Sequence, residues 1–294
     1  MIADLTAHLA AGRSHVCRCW ALVRRDGTVF GFTDHDLPLT FDGITFRADT
    51  GMSAKTVTQT TGLSVDNTEA MGALSDPAIN EADIEAGRYD GAEVQSWLVR
   101  WDDVTARMLR FRGTIGELRR AGGAFHAELR GLTEALNQPQ GRSFQRQCTA
   151  VLGDARCRFD LTADGYRDER AVEAVIGAQA FRFAAMNAFD PRWFERGRLE
   201  MLTGAAKGLA GVIKHDRFDA AGVRVIELWQ PLQAEILPGD MVRLDPGCDK
   251  RVETCRLKFS NLLNFRGFPD IPGEDWLMSV PVQDGRNDGG SLGR

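Results

Sequence analysis

Long apolar runs are missing from this chain of 294 residues. No stretch approaches the roughly 20 apolar residues that a membrane-spanning helix requires, so no membrane insertion is expected. The opening Met1-Ile-Ala-Asp-Leu-Thr-Ala-His-Leu-Ala-Ala-Gly12 interrupts its apolar residues with Asp4 and His8. That leaves it without the continuous core of a secretory signal, and folding in the bacterial cytosol is the expectation. An excess of positive charge is missing too: 36 Lys and Arg stand against 41 Asp and Glu, a formal charge of −5. Nonspecific nucleic-acid binding is driven by Lys and Arg on phosphates, so any DNA contact is expected to be local. The patterns H-E-x-x-H, G-x-S-x-G and G-x-x-x-x-G-K-[ST] are absent, and with them a ready-made hydrolase or nucleotide site. No enzyme is expected. Nor is there a repeat of fixed period, which argues against a solenoid or propeller.

What is present reads as mostly β. Asp4 to Ala11 has the spacing of a short amphipathic helix, with Gly12 as its stop. Short strands divided by turns follow: Cys17 to Val23, then Thr28 to Thr33 after Arg25-Asp26-Gly27, then Ile44 to Arg47 after Asp42-Gly43. Asp-Gly in this setting is a hairpin signal. Further strands are expected at Ser53 to Gln59, Ala92 to Trp101, Arg107 to Gly116 and Ala124 to Arg130, with Gly122-Gly123 turning between the last two and a short helix over 80–87. A brief helical turn at Leu132 to Asn137 and then Pro139 mark the boundary. Beyond Cys157 strands resume at Ala171 to Ile176, Arg198 to Leu202, Gly211 to His215 and Val223 to Leu228. The expected architecture is therefore mainly β, a β-rich α+β protein of two barrel-like or sandwich-like domains with short helices, 1–140 and 141–282. The end, 283–294, is rich in Gly, Asp, Asn and Ser; with so little to bury it cannot offset its ordering entropy and is expected to be a flexible tail.

Six cysteines occur, and the last four sit in turn-like surroundings. Cys148 and Cys157 enclose one loop and Cys248 and Cys255 another, so two hairpin-like loops would each present a thiolate pair. Stable disulfides are disfavoured in a reducing cytosol, where gathered cysteines read more readily as metal ligands. Four thiolates suit an iron-sulfur cluster and suit tetrahedral zinc equally; two buried, inert pairs are the plainer alternative, since free Cys is often buried. Neither pair has C-x-x-C spacing. Pro246-Gly247 before Cys248 favours metal, because a tight turn exposes a thiolate. A link closing a loop of about 100 residues is worth about 4.7 kcal/mol in the chain-entropy model, and structural metal supplies about 10–16 kcal/mol. A staple is thus sufficient reason for the site. Cys17 and Cys19 alternate along a strand among Trp20, Leu22 and Val23, and are assigned to ordinary packing.

Whole segments also resemble the phage protein family that supplies tail hub subunits to gene transfer agents and long-tailed phages. The most specific are Gly31-Phe-Thr-Asp-His-Asp36, Glu128-Leu-Arg-Gly-Leu132, Leu136-Asn-Gln-Pro139, Trp193-Phe-Glu-Arg-Gly197, Leu152-Gly-Asp-Ala-Arg-Cys157 with Cys148, Pro246-Gly-Cys-Asp-Lys250, and the run from Cys255 through Asn264-Phe-Arg-Gly-Phe-Pro-Asp-Ile-Pro-Gly273. The resemblance covers nearly the full chain. It implies a virion protein of the tail tip, made and assembled in the bacterial cytoplasm: a baseplate hub, trimeric around the tail axis, beneath the distal tail protein ring and above a large tip protein. A tail-associated peptidase is a further implied neighbour, and DNA meets the hub only in transit. The resemblance also implies a 4Fe-4S cluster on Cys148, Cys157, Cys248 and Cys255, as in the tail-tip protein of lambda-like phages. An iron-sulfur electron-transfer protein and a zinc-stapled binding module are the rival readings.

Other candidates are weaker. In Asp34-His35-Asp36 adjacent residues on a strand would point to opposite faces, so a turn with local hydrogen bonds is the better reading than an acid-base or metal triplet. His15, His126 and His215 are isolated in sequence. Arg142, Arg146, Arg156 and Arg158 would offset the negative charge of a thiolate-ligated cluster, or touch DNA, or form a solvated basic surface. Asn264-Phe265-Arg266-Gly267-Phe268-Pro269 reads as a rigid loop whose two aromatics cover the cluster from water.

Overall fold

Strand β1, Val16–Val23, organises the N-terminal half. Cys17, Cys19 and Ala21 pack with Leu39, Phe41, Phe46, Trp97 and Val99, while Trp20 and Leu22 pack with Phe32, Tyr89, Val94, Ile115 and Leu129. Because successive side chains point to opposite faces, a strand apolar on both faces belongs inside a sheet covered on two sides. β1 lies there, antiparallel to β2 (Val29–Thr33) and to β6 (Glu93–Arg100). With β3 (Leu39–Phe41), β4 (Ile44–Arg47), β5 (Asn67–Gly72), β7 (Arg107–Ala121) and β8 (Ala124–Gly131) the sheet runs β3-β4-β2-β1-β6-β7-β8-β5. Only β2 and β4 pair in parallel among the described strands. Asp42 and Gly43, at φ 51° and 75°, make the β3–β4 turn, as two left-handed residues in a two-residue hairpin should. Helix α1 (Ile2–Ala10) buries Leu5, and a short helix α2 is Glu81–Glu85.

The computed structural model describes residues 2–12, 15–48, 67–72, 81–121, 124–131, 141, 143–177, 179–184 and 186–271. The expected strand Ser53 to Gln59, the turns at Gly122-Gly123 and Leu132 to Asn137, Pro139, Arg142 and the tail 283–294 lie outside the described residues. The chain divides into two compact units, 1–140 and 141–294.

The second unit holds β9 (Asp168–Ala171), β10 (Ala174–Ile176), β11 (Ala180–Phe183), β12 (Arg198–Met201), β13 (Ala210–Phe218), β14 (Arg224–Leu228) and β15 (Met241–Asp245). Their order is β10-β11-β14-β13-β12-β15-β9. Phe181, Phe183, Phe194, Leu199, Met201, Ile213, Ile226, Val242 and Leu244 form its core. Where one strand was expected over 171–176 there are two, at opposite edges of the sheet. Between them Val172 is buried, its N–H donating to Asp240 O at 2.8 Å, and Glu173 N–H donates to Arg182 O at 3.2 Å. The chain leaves one edge and joins the other within two residues. Helix α3 (Val252–Leu257) and a 3₁₀ turn (Leu262–Asn264) complete the unit. The fold is mainly β with few short helices, and one of the two sheets curls into a half-barrel.

Candidate cysteine site

Cys148, Cys157, Cys248 and Cys255 line a single small cavity of the second unit. Ala150, Leu152, Phe259 and Phe265 supply apolar wall, and Lys250, Arg251, Asn261 and Asn264 supply polar groups. Each cysteine arrives by its own local device. Asp154 closes the 151–157 turn: its carboxylate accepts the N–H of Val151 (2.9 Å), Arg156 (2.9 Å) and Cys157 (2.6 Å), and these bonds, that from Cys157 first, hold its acidity below the ordinary carboxylate range. Cys148 N–H donates to Lys250 O at 2.9 Å, and Lys250 Nζ returns a bond to Ala150 O at 2.6 Å.

Cys248 leaves β15 through Pro246-Gly247. Gly247 N–H donates to Trp193 O at 2.9 Å, and its α-carbon lies so close to the Glu195 backbone that a Cβ would overlap it. Cys255 does not sit in a loop, as its spacing from Cys248 suggests, but is the buried residue of α3. Its Sγ donates to Asn261 O at 3.3 Å. On the far side Arg266 N–H donates to Cys148 Sγ at 3.4 Å, and Asn261 Nδ2 to Cys157 Sγ at 3.5 Å. Two chain segments remote in sequence are laced together here: Phe268 N–H donates to Gln145 O at 2.9 Å, and Arg146 Nε to Ile271 O at 2.6 Å.

Burial pushes the Cys255 thiol up to about 11, and negative charge on Cys148, Cys248 and Cys157 pushes the same way. Burial also raises Cys248, opposed by the Lys250 backbone N–H and charge. Thiols so placed lose protons readily only to a cationic centre. Lys258 lies nearby, its ammonium donating to Gly247 O at 2.9 Å and to Trp193 O, 4.2 Å from the Trp193 ring centroid; burial lowers it to about 8. Among the described residues no group of three or more His, Cys, Asp or Glu side chains is arranged to hold a metal ion. The four thiols border a cavity of about 10 Å³.

The remaining candidates go elsewhere. Cys17 and Cys19 are buried in the first unit's core, with Cys17 Sγ 3.7 Å from Val99 O and Cys19 Sγ 3.5 Å from Thr33 Oγ1. Asp34-His35-Asp36 is a bend: Asp34 Oδ1 accepts Arg18 N–H at 2.6 Å, and Leu37 N–H donates to His35 Nδ1 at 3.0 Å. His15 sits 3.6 Å from Asp102 and His215 is opposite Glu227 across β13 and β14; the His126 side chain lies outside the described residues. Of the arginines, Arg146 and Arg156 lace the two segments, Arg156 through its O to Arg266 Nε at 3.5 Å, and Arg158 is held at φ 57°. Phe265 lines the cavity as expected, but Phe268 packs against Phe144 with the rings tilted at 49° and their centroids 4.9 Å apart, and Phe259 takes the second wall position. Sequence reasoning missed Lys258 and Asn261, and gave Lys250 and Arg266, which stand in the segments it singled out, no role of their own. The signal for Asn261 was a polar residue set in Phe259-Ser-Asn-Leu-Leu263, where nothing in the local pattern asks for one.

A family model described as baseplate hub protein, N-terminal attachment domain, matches residues 2–160, and one described as a phage conserved hypothetical protein matches residues 192–275. The first span carries Cys148 and Cys157, the second Cys248 and Cys255. No curated protein matches the chain. Among solved structures, a chain from the virion of a native gene transfer agent particle is 61% identical with a TM-score of 0.90, the match covering 98% of this chain and 99% of that one. With more than half of its length matched by the hub model and a full-length structural relative at that identity, the chain belongs to the phage baseplate hub protein family.

Proposed function

We propose that the chain is the structural hub of a baseplate of the gene transfer agent type, a ring of identical subunits joining the distal tail to the tip protein around an axial channel, and that Cys148, Cys157, Cys248 and Cys255 hold a structural 4Fe-4S cluster. The observation that carries the cluster reading is the convergence of four thiols, from two distant stretches of chain, on one cavity. The donor set fits. Iron-sulfur clusters are held by four Cys thiolates, and a cluster sets its own iron and sulfide atoms between them. Zinc instead draws its thiolates to about 2.3 Å from one point. N–H donors already face Cys148 and Cys157, and Lys250 and Arg251 border the cavity with positive charge. When bound, the cluster supplies a covalent staple between the 148–157 turn and the 248–255 segment. The role is geometric, and no catalytic residue is assigned.

Protein purified without oxygen is expected to carry about four irons per chain with matching sulfide, the complement of a four-thiolate cubane site, and a broad visible absorption. Zinc in their place would make the site a single-ion staple and defeat the iron reading. Particles lacking this chain are expected to have tails with incomplete tips; normal, active particles would defeat the hub reading.

A further inference from the structure

We infer that Asn261 is a positioning residue for the iron-sulfur cluster proposed above, on which the inference rests: its carboxamide N–H, directed at Cys157 Sγ, holds that ligand in place and raises the reduction potential of the cluster. Asn261 is half-buried and lies just past α3. Ser260, at φ 48°, turns the backbone there through a left-handed conformation that a non-glycine residue seldom adopts. The turn brings Asn261 N–H to Cys255 O at 2.9 Å and Asn261 O to Cys255 Sγ at 3.3 Å. One residue thereby touches two of the four cysteines.

The orientation of its side chain is dictated by its partners. Nδ2 donates to Cys157 O at 2.7 Å, and Oδ1 accepts from Asn264 Nδ2 at 2.7 Å. A flipped amide would set oxygen against oxygen at Cys157 and nitrogen against nitrogen at Asn264, so the nitrogen must face Cys157. Its second contact is Cys157 Sγ at 3.5 Å. Cys148 receives a backbone donor from Arg266, and the Lys250 backbone N–H opposes the rise that burial gives the Cys248 thiol. Among the described residues, Asn261 is the side-chain donor to a sulfur of this site, and so the one a substitution can remove.

A donor to a ligating sulfur stabilises negative charge on the cluster. The reduced form carries one electron more and gains more, so the potential rises. The same bonds hold Cys157 against release of iron.

The test uses the full chain, purified without oxygen and loaded with iron and sulfide, as wild type, Asn261→Leu, Asn261→Asp and Asn264→Ala. Leucine matches asparagine in shape and removes the whole carboxamide, the donor to Cys157 and the acceptor of Asn264 alike; aspartate keeps the acceptor, loses the donor and adds negative charge; Asn264→Ala removes the Asn264 bond alone and leaves the donor present. Three quantities are measured: midpoint potential, iron release to a chelator, and melting temperature. The potential is expected to fall in Asn261→Leu, further in Asn261→Asp, and less in Asn264→Ala. Iron release should accelerate by roughly tenfold or more in Asn261→Leu, the low end of outer-shell effects on metal sites. A purely structural role would lower the melting temperature and leave the potential unmoved. A wild-type potential in loaded Asn261→Leu overturns the inference, and so does one in loaded Asn261→Asp if the leucine variant does not fold. Wild-type protein that takes up no iron overturns the cluster reading itself, a result read before any variant is made.

Discussion

Arg224 and Asp216 form an ion pair from which water is wholly excluded. Arg224 Nε donates to Asp216 Oδ1 at 2.6 Å and Nη2 to Oδ2 at 2.7 Å, with both side chains at 0% exposure. The other arginine donors reach the carbonyls of Met186 (3.2 Å), Phe189 (2.9 Å) and Asp190 (2.6 Å), and Asp216 Oδ2 also accepts Phe194 N–H at 2.8 Å. The guanidinium lies over the rings of Phe194 and Phe218, 5.1 and 4.9 Å from their centroids. A buried pair so fully bonded binds the 186–194 loop to β13 and β14, and that loop is the one that Gly247, next to Cys248, packs against.

Arg224→Met strands the Asp216 charge and is expected to cost about 3–5 kcal/mol, the usual penalty for halving a buried pair. Adding Asp216→Leu should recover part of the loss. Chemical denaturation of both variants checks this, and equal stability of the two would show that the stranded charge is not the cause.

Cys148→Ser or Cys255→Ser is expected to abolish iron binding and to lower the stability of the second unit by about 4–5 kcal/mol, the chain-entropy value for freeing a loop of about 100 residues. Cys19→Ser places a hydroxyl in the first unit's core and should leave iron content at the wild-type level. Metal analysis beside thermal melting separates the two effects.

Gly247→Ala sets a methyl against the Glu195 backbone. Neither backbone can yield without moving Cys248, so a loss of about 1–3 kcal/mol or more is expected, with weaker iron retention. Melting and chelator challenge would read both.

Asp219 offers a pH test outside the cysteine site. Its carboxylate accepts Val223 N–H at 3.0 Å and Ala221 N–H at 2.9 Å and pairs with Arg182. The Val223 bond foremost holds its acidity below the ordinary 3.8. A folded-state value below the unfolded one contributes stability that is present above about pH 4 and lost as pH falls through the folded value. Asp219→Asn should therefore melt lower than wild type at pH 7, and the two curves should converge in acid. Curves that stay parallel from pH 7 downward would count against the assignment.

Much of the first unit was legible because its signals are local. Arg25-Asp26-Gly27 and Asp42-Gly43 announce turns by their own backbone preferences, and β1, β2, β4, β6 and β8 follow from apolar runs between such turns. Short elements were missed. Leu39–Phe41, Ala180–Phe183 and Met241–Asp245 are strands because neighbours accept their hydrogen bonds, not because three to five residues carry a period. The division of 171–176 into two strands depends on the Asp240 carbonyl, nearly seventy positions away. Within the site, Cys255 was read into a loop because α3 is only six residues long and buries that cysteine alone.

By itself the sequence determined the chemistry on offer: four cysteines in two pairs, glycines before and after the strands, alternating apolar residues that make a mainly β fold, and segments that carry the hub resemblance. Side-chain type and turn preference are properties of a few adjacent residues, so they can be read in place. That the four thiols meet around one space, that Asn261 faces Cys157, and that Arg224 is wholly buried with Asp216 were decided by the tertiary structure alone. Each depends on partners brought together only when the second unit closes, and spacing along the chain does not encode distance across it.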